Sequence, residues 1–356
     1  MSSKRDNSED GLEHPSKQMK TNSESTKATW SCEKCGLSGL PSRNKLFKHY
    51  KFCPVELKLP LVSEISDSTF FDRHEAFIYV TGGRVRGKTL GCVERYNIKQ
   101  NEWETCPSML ENRGSHCSAV VNNVIYVIGG GGFHSNLTSN EKFDTASSKW
   151  IAVASMPTSR HALVGLTVGS NVYAIGGWID GSICSTDIER YDTVNDVWTK
   201  LTPMTIGRRL LGATEVNNKI YVFGGNCDDG IWNTNALEIY DIASDSWTLG
   251  APTPVAGQCS AIAVGDLIYV FLHGAYVVRY DPLTNKYTQL TESLPVQRWF
   301  SFDVTACNGV IYLHGGNENG VWSDVLYSYS VSSNTFTKLA SMKKERRRCS
   351  ASVIVL

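Results

Sequence analysis

The sequence has no excess of charge of either sign. Thirty-five basic residues face 35 acidic ones, so nothing global draws the chain to nucleic acid or to a membrane surface. No apolar run approaches the roughly 18 residues of a membrane span. The opening stretch, MSSKRDNSEDGLEHPSKQMK, lacks the apolar core of a secretory signal. The 11 cysteines are odd in number and scattered, which predicts free thiols in a reducing compartment, cytoplasmic and/or nuclear. Asn136-Leu137-Thr138 matches a glycosylation sequon, but with no secretion signal it reads as coincidence. Rossmann and Walker phosphate loops are absent, because the Gly-Gly pairs end strands with no helix after them, and no nucleophile elbow occurs. The reading is therefore of a chain that is not an enzyme.

What the chain does have is a repeat. An apolar strand carrying a Tyr recurs at Tyr79, Tyr126, Tyr173, Tyr221, Tyr269 and Tyr312. Three residues on stands a diglycine: Gly82-Gly83, Gly129-Gly130, Gly176-Gly177, Gly224-Gly225 and Gly315-Gly316, with Leu272-His273 in the fifth copy. A second strand ends in an aromatic that is followed seven residues later by another: Tyr96/Trp103, Phe143/Trp150, Tyr191/Trp198, Tyr240/Trp247, Tyr280/Tyr287 and Tyr329/Phe336. Short β-branched and aromatic segments bounded by Gly and Asn predict buried strands. The glycines suit positive φ and close backbone approach near a crowded axis. A period of about 43 to 50 residues predicts small sheets that bury their faces only by stacking on one another.

This pattern resembles the kelch repeat, over roughly residues 68–356. The resemblance implies an all-β fold, with one four-stranded antiparallel sheet per repeat arranged as blades of a β-propeller. Six copies predict six blades. The final segment, RRCSASVIVL from Arg347, has no repeat after it, and the first copy lacks a convincing strand before Tyr79. The C-terminal strand is therefore expected to complete the first blade and leave no open edge at the seam.

Residues 1–28 are rich in Ser, Lys, Glu, Asp and Asn and predict a disordered tail. Residues 29–54 hold Cys32 and Cys35 in a C-x2-C knuckle, then His49 and Cys53 one helical turn apart, which suits one tetrahedral structural zinc ion. The segment looks like a Cys-Cys-His-Cys zinc finger, whose folding would be its metal binding. Residues 55–67 read as a linker into the ring at 68–356. A single finger with Arg43, Lys45 and Lys48 on its predicted helix could meet phosphates, so a nucleic-acid-associated scaffold is the alternative. A protein contact is favoured over it. A metal-dependent enzyme on the ring is a further alternative, with His273 and His314 near the axis its only support. The 67 residues before the ring are expected to be too few for BTB and BACK regions, so a cullin ligase is not implied.

In kelch adaptor propellers, residues just after the diglycine and around a recurring Arg line one face and hold an acidic or polar peptide. By that resemblance, Arg84, His161, Trp178, Arg209, Asn226, Trp299, Asn317 and Arg348 are the candidate binding residues, serving a protein partner. The strictly recurring Arg113, Arg160 and Arg208 are expected to be structural more often than functional. Arg209, Trp178 and Trp299, which break the repeat, are the more pointed candidates.

Overall fold

The computed structural model describes residues 75–356 except 132–134, 180–182, 228–232, 292 and 297, together with the short strands Trp30–Cys32 and Leu37–Leu40. The chain divides into two compact units, Met1–Ile65 and Ser66–Leu356. In the first, the two short strands pair antiparallel. The predicted tail, linker and ligands Cys35, His49 and Cys53 lie outside the described residues, as does the side chain of Cys32.

The described residues of the second unit are all β, with no helix among them. They form six four-stranded antiparallel sheets, each built like Cys117–Val121, Val124–Ile128, Asn140–Asp144 and Lys149–Val153. The innermost strands are Cys117–Val121, Val164–Val168, Gly212–Val216, Cys259–Val264, Asp303–Cys307 and Ser350–Val355. Each packs against the next in that order, and the last packs back on the first. Ser350–Val355 pairs with Ala76–Thr81 over six residues, from Thr81 opposite Ser350 to Ala76 opposite Val355, so the chain end supplies the inner strand of the first sheet.

Why the sequence folds this way is visible at the recurring aromatics. In every sheet the two stand directly opposite on the third and fourth strands, as Tyr96 faces Trp103, with ring centroids 4.8 to 5.2 Å apart. The first aromatic's hydroxyl donates to an Asn or Asp in the hairpin turn, as Tyr191 does to Asp196 at 2.6 Å. That turn residue has left-handed backbone, φ 57° at Asp196, which Asn and Asp tolerate better than most residues. The second aromatic reaches back to the preceding sheet: the Trp198 indole donates to the Ala154 carbonyl at 3.0 Å, and Ala154 N–H returns a bond to Asp196 at 2.8 Å. Copy two has Phe143, with no hydroxyl, and correspondingly Ser148 in its turn. The pairs are thus inter-sheet staples as well as apolar surface.

Six apolar clusters form the core, each joining two neighbouring sheets. Second strands such as Val124–Ile128 are buried over nearly their whole length because a sheet lies on either side. The diglycines do adopt positive φ, but what crowds them is the neighbouring sheet's loop rather than the axis. A Cβ on Gly82 would lie 2.4 Å from the Arg113 carbonyl oxygen, and the Gly83 N–H donates to that same oxygen at 2.9 Å.

Candidate functional site

The recurring arginine lies inside the fold. Arg113, Arg160, Arg208 and Arg346 are fully buried, and each guanidinium meets a buried glutamate of the following sheet: Glu141 at 2.6 Å, Glu189 at 3.1 Å, Glu238 and Glu94. Backbone carbonyls take further donors, as Gly129 O and Ser139 O do for Arg113 Nη1, each at 2.8 Å. The arginine's own carbonyl accepts from the preceding diglycine, so one residue ties two sheets together.

Two junctions lack the pair, and they lack both halves of it. Gly257 occupies the arginine's place before the fifth sheet, since its carbonyl accepts from Gly225, and the glutamate position there holds Val278. Before the sixth sheet the place is taken by Trp299, whose carbonyl accepts from Gly274 and whose indole N–H donates to Gly315 O at 2.8 Å. The glutamate there is replaced by Tyr327, whose ring lies 5.7 Å from that of Trp299. Trp299 is 0% exposed and stacked on Phe302. It therefore has no surface with which to touch a ligand, and its expected role as an anchor does not hold. It follows the repeat rather than breaking it.

Apart from the buried Gly114, the residue after each buried arginine rises to the rim. There it bridges, backbone to backbone, to the residue after a diglycine. His161 pairs with Trp178, Arg209 with Asn226, Arg84 with Arg347, and Phe300 with Asn317. Six of the eight expected residues, Arg84, His161, Trp178, Arg209, Asn226 and Asn317, meet in these bridges. The Arg209 guanidinium sits 3.2 Å above the Trp178 ring, whose other neighbour is the stacked His161 at 5.9 Å. Asn136 locks that group: its amide donates to Trp178 O at 2.9 Å and its oxygen lies 2.5 Å from His161 Nδ1. The supposed sequon is thus a structural bond. Arg347, Phe300 and Asn136 are not among those eight. Counting one residue past the buried arginine, with Trp299 taken as its substitute, would have found the first two.

Arg348 lies one step further in. Ser115, Ala162, Leu210, Ser301 and Arg348 all have φ between 52° and 57°. Their backbones bond head to tail: Arg348 N to Ser301 O at 3.2 Å, Ser115 N to Arg348 O at 2.8 Å, Ala162 N to Ser115 O at 2.7 Å, and Leu210 N to Ala162 O at 2.9 Å. These five line a central cavity of about 530 Å³ that is walled by the inner strands of the six sheets. Burial, and then Arg347, Arg84 and Arg209, push the Arg348 guanidinium down to about 10, well below the usual arginine range.

The buried groups in and behind the cavity wall are chemically quiet. His273 is bonded to Ser260 Oγ at 3.0 Å and to Ser301 N–H at 3.3 Å, and burial holds it down at about 3. His314 lies 3.6 Å from Cys349 Sγ. Burial holds this imidazole near 3 and lifts the thiol to about 12, so a neutral base faces a neutral thiol, the opposite of an activated nucleophile. Asp303, lifted by burial to about 6, accepts from Ser350 Oγ at 3.2 Å. Among the described residues no three His, Cys, Asp or Glu side chains converge as a metal site.

Such a stack of four-stranded sheets, tied by Gly-Gly turns to a loop arginine, is that of a repeat propeller. Comparison with known families makes the class specific. Residues 60–210 match the model of the KLHDC2/KLHL20/DRC7 kelch-repeats domain, and residues 207–254 and 298–343 match the kelch motif. Residues 60–254 and 298–343 thus carry kelch repeats, which generally serve as a non-catalytic interaction domain. Similar curated proteins include Kelch-like protein 24 of Rattus norvegicus and of Mus musculus, each 29% identical over 116 residues, which is 31% of this chain and 19% of the relative. The matched stretch thus spans about a fifth of the length of those relatives.

Proposed function

We propose that the six sheets are the blades of a six-bladed ring whose rim grips an acidic or polar segment of a protein partner, without catalysis. The observation that supports this best is the guanidinium and aromatic cluster on one face: Arg209 over Trp178, and Arg84 bridged to Arg347. Arg forks suit carboxylates, and a Trp held by Arg209 and His161 is a rigid contact of low entropic cost. Affinity capture with the full chain tests it. Arg209→Glu and Arg347→Glu should lose the partners of the unaltered protein while melting at its temperature, and recovery of the same partners by both variants refutes the reading.

For the N-terminal unit we propose the division 1–28, 29–54 and 55–67 ahead of a ring at 68–356. Within it, one structural zinc would be held by Cys32, Cys35, His49 and Cys53. Its support is the ligand spacing, together with the strand pair Trp30–Cys32 and Leu37–Leu40 that brackets the first knuckle in sequence. None of the eight described cysteines is joined in a disulfide to another described cysteine, which supports placing the protein in a reducing compartment, the cytoplasm or the nucleus.

A further inference from the structure

We propose that the central cavity is a site for a primary ammonium group, seated against Asp303 and the serine wall beside it. This goes beyond the reading of the rim and is independent of it, because none of the rim bridges takes part.

The first observation is the direction in which the hydroxyl protons run. An ionised Asp303 can only accept, so the Ser350 hydroxyl, 3.2 Å from Asp303 Oδ2, donates to it. A serine has one proton to give. Ser118 Oγ, 3.0 Å from Ser350 Oγ, therefore donates to Ser350, and Ser352 Oγ, 2.9 Å from Ser118 Oγ, donates to Ser118. The Ser118 N–H also reaches Ser350 Oγ at 3.0 Å, and the Val304 N–H donates to Asp303 Oδ1 at 2.9 Å. Every proton of this chain is spent toward the carboxylate. What these residues of the cavity wall have left to offer is oxygen lone pairs and one negative charge, which suits a ligand that brings N–H donors and a positive charge.

The second observation is that the charge of Asp303 has no counterpart. Burial lifts this carboxyl to about 6, and the groups that pull it back are backbone N–H donors and Ser350, with no cation among them. Arg348 is the one Lys or Arg of the cavity wall, and neither it nor Asp303 acts on the other. The stretches between Glu75 and Leu356 that lie outside the described residues contain no Lys or Arg. A further polar group of the same wall is unmet: Ser115 Oγ is buried, at 5% exposure of its residue, with no hydrogen-bond partner.

The third observation selects among cations. A divalent ion favours several carboxylates at one point, whereas Asp303 and Glu215, the two acidic side chains of the wall, stand at different levels. Asp303 opens its inner strand, and Glu215 is the fourth residue of Gly212–Val216. All six inner strands begin just after the loop that holds Arg348 or its counterpart, so Glu215 lies toward the opposite end. A cation is repelled at the Arg348 end and admitted at the other. Both Asp303 oxygens already accept one bond each, which suits a compact ammonium better than the two-pronged fork of a guanidinium. Ala119, Ala213, Ala261 and Ala306 give the cavity, of about 530 Å³, small apolar walls beside an alkyl stem.

The test uses the full chain at neutral pH and fixed ionic strength, followed by calorimetry and by melting temperature. The probes are butylammonium, tetramethylammonium, potassium and the end-blocked pentapeptide Gly-Gly-Lys-Gly-Gly. Butylammonium should bind and raise Tm. Asp303→Asn keeps a carbonyl to accept from Ser350, so it should fold, as its own melting shows, and bind butylammonium at least tenfold more weakly, about 1.4 kcal/mol. Binding of the lysine peptide as well assigns the ammonium to an inserted chain segment, and binding of butylammonium without it assigns a free amine; both uphold the inference. Tetramethylammonium has the charge but no N–H, so equal binding by it overturns the inference. Potassium that binds with the same dependence on Asp303 and displaces butylammonium gives the site to an alkali ion and overturns it too. No binding of butylammonium, or binding unchanged in Asp303→Asn, does the same. None of these results touches the rim, whose own test is capture of partners by Arg209→Glu and Arg347→Glu.

Discussion

Replacing Glu238 by Ala breaks one buried ion pair at the junction between the third and fourth sheets. In the native chain its carboxylate accepts from the Arg208 guanidinium and from Thr205 N–H at 2.8 Å and Thr205 Oγ1. Arg208 keeps the Gly224 and Ala236 carbonyls at 3.2 and 3.0 Å, but its charge is left buried with no opposite charge beside it. Removing one partner of such a pair costs about 3–5 kcal/mol. For domains of about 150–250 residues each kcal/mol is worth about 2–4 °C, so Glu238→Ala should lower Tm by about 6–20 °C, and a ring this large falls toward the low end. The same chain shows how the loss is relieved, because the fifth junction carries Gly and Val in the two places. The double change Arg208→Gly with Glu238→Val should therefore be less destabilising than the sum of its single changes, by about 2 kcal/mol or more. Denaturant titration of the four proteins closes that cycle. Additive single changes, or a cost under about 1 kcal/mol for Glu238→Ala, would refute the argument that charge compensation holds the junction.

Removing the last ten residues deletes the inner strand of the first sheet, so cooperative unfolding of the whole ring should be lost rather than one blade's worth of signal, as read by calorimetry and hydrogen exchange. Asp303 is held above its ordinary range, at about 6, so it binds its proton more tightly folded than unfolded. Its contribution falls as pH rises from about 4 to 6, by about 3 kcal/mol, so Asp303→Asn should gain on the unaltered protein over that window and keep the gain at pH 7. His116, His273 and His314, all held near 3 by burial, act in the opposite sense. Stability should fall as pH drops below about 6.5, and titrating Tm against pH in the unaltered and Asp303→Asn proteins separates the two trends. Native mass spectrometry of the full chain should find one zinc, lost in Cys32→Ser with the ring's melting unchanged. A metal-free native chain rejects the finger.

The repeat was legible because it is written in residues that cannot be exchanged cheaply. Facing aromatics such as Tyr240 and Trp247 need each other's surface, and diglycines are needed where a neighbouring loop carbonyl leaves no room for a Cβ. Return of the C-terminal strand could be read because one strand was missing at the start and one was left over at the end. The rim was half legible. Positions after each diglycine are fixed by the glycines themselves, so Arg84, Trp178, Asn226 and Asn317 were found. Positions around the loop arginine are not fixed in that way. At Trp299 the internal donor is an indole in place of a guanidinium. In Arg346-Arg347-Arg348 three identical side chains face the interior, the rim and the cavity, and only backbone direction separates them. A glutamate two residues before each facing aromatic, absent together with the arginine, was the signal that would have corrected both.

The bond between Thr81 and Ser350 spans 269 residues of sequence. During synthesis at about 5–20 residues per second, Ala76–Thr81 waits roughly 13–54 s for its partner to be made. Throughout that interval one edge of this apolar strand lacks its partner, while its other edge has Val93–Asn97 available to pair with. Translation speed over the later repeats then sets how long that edge stays open.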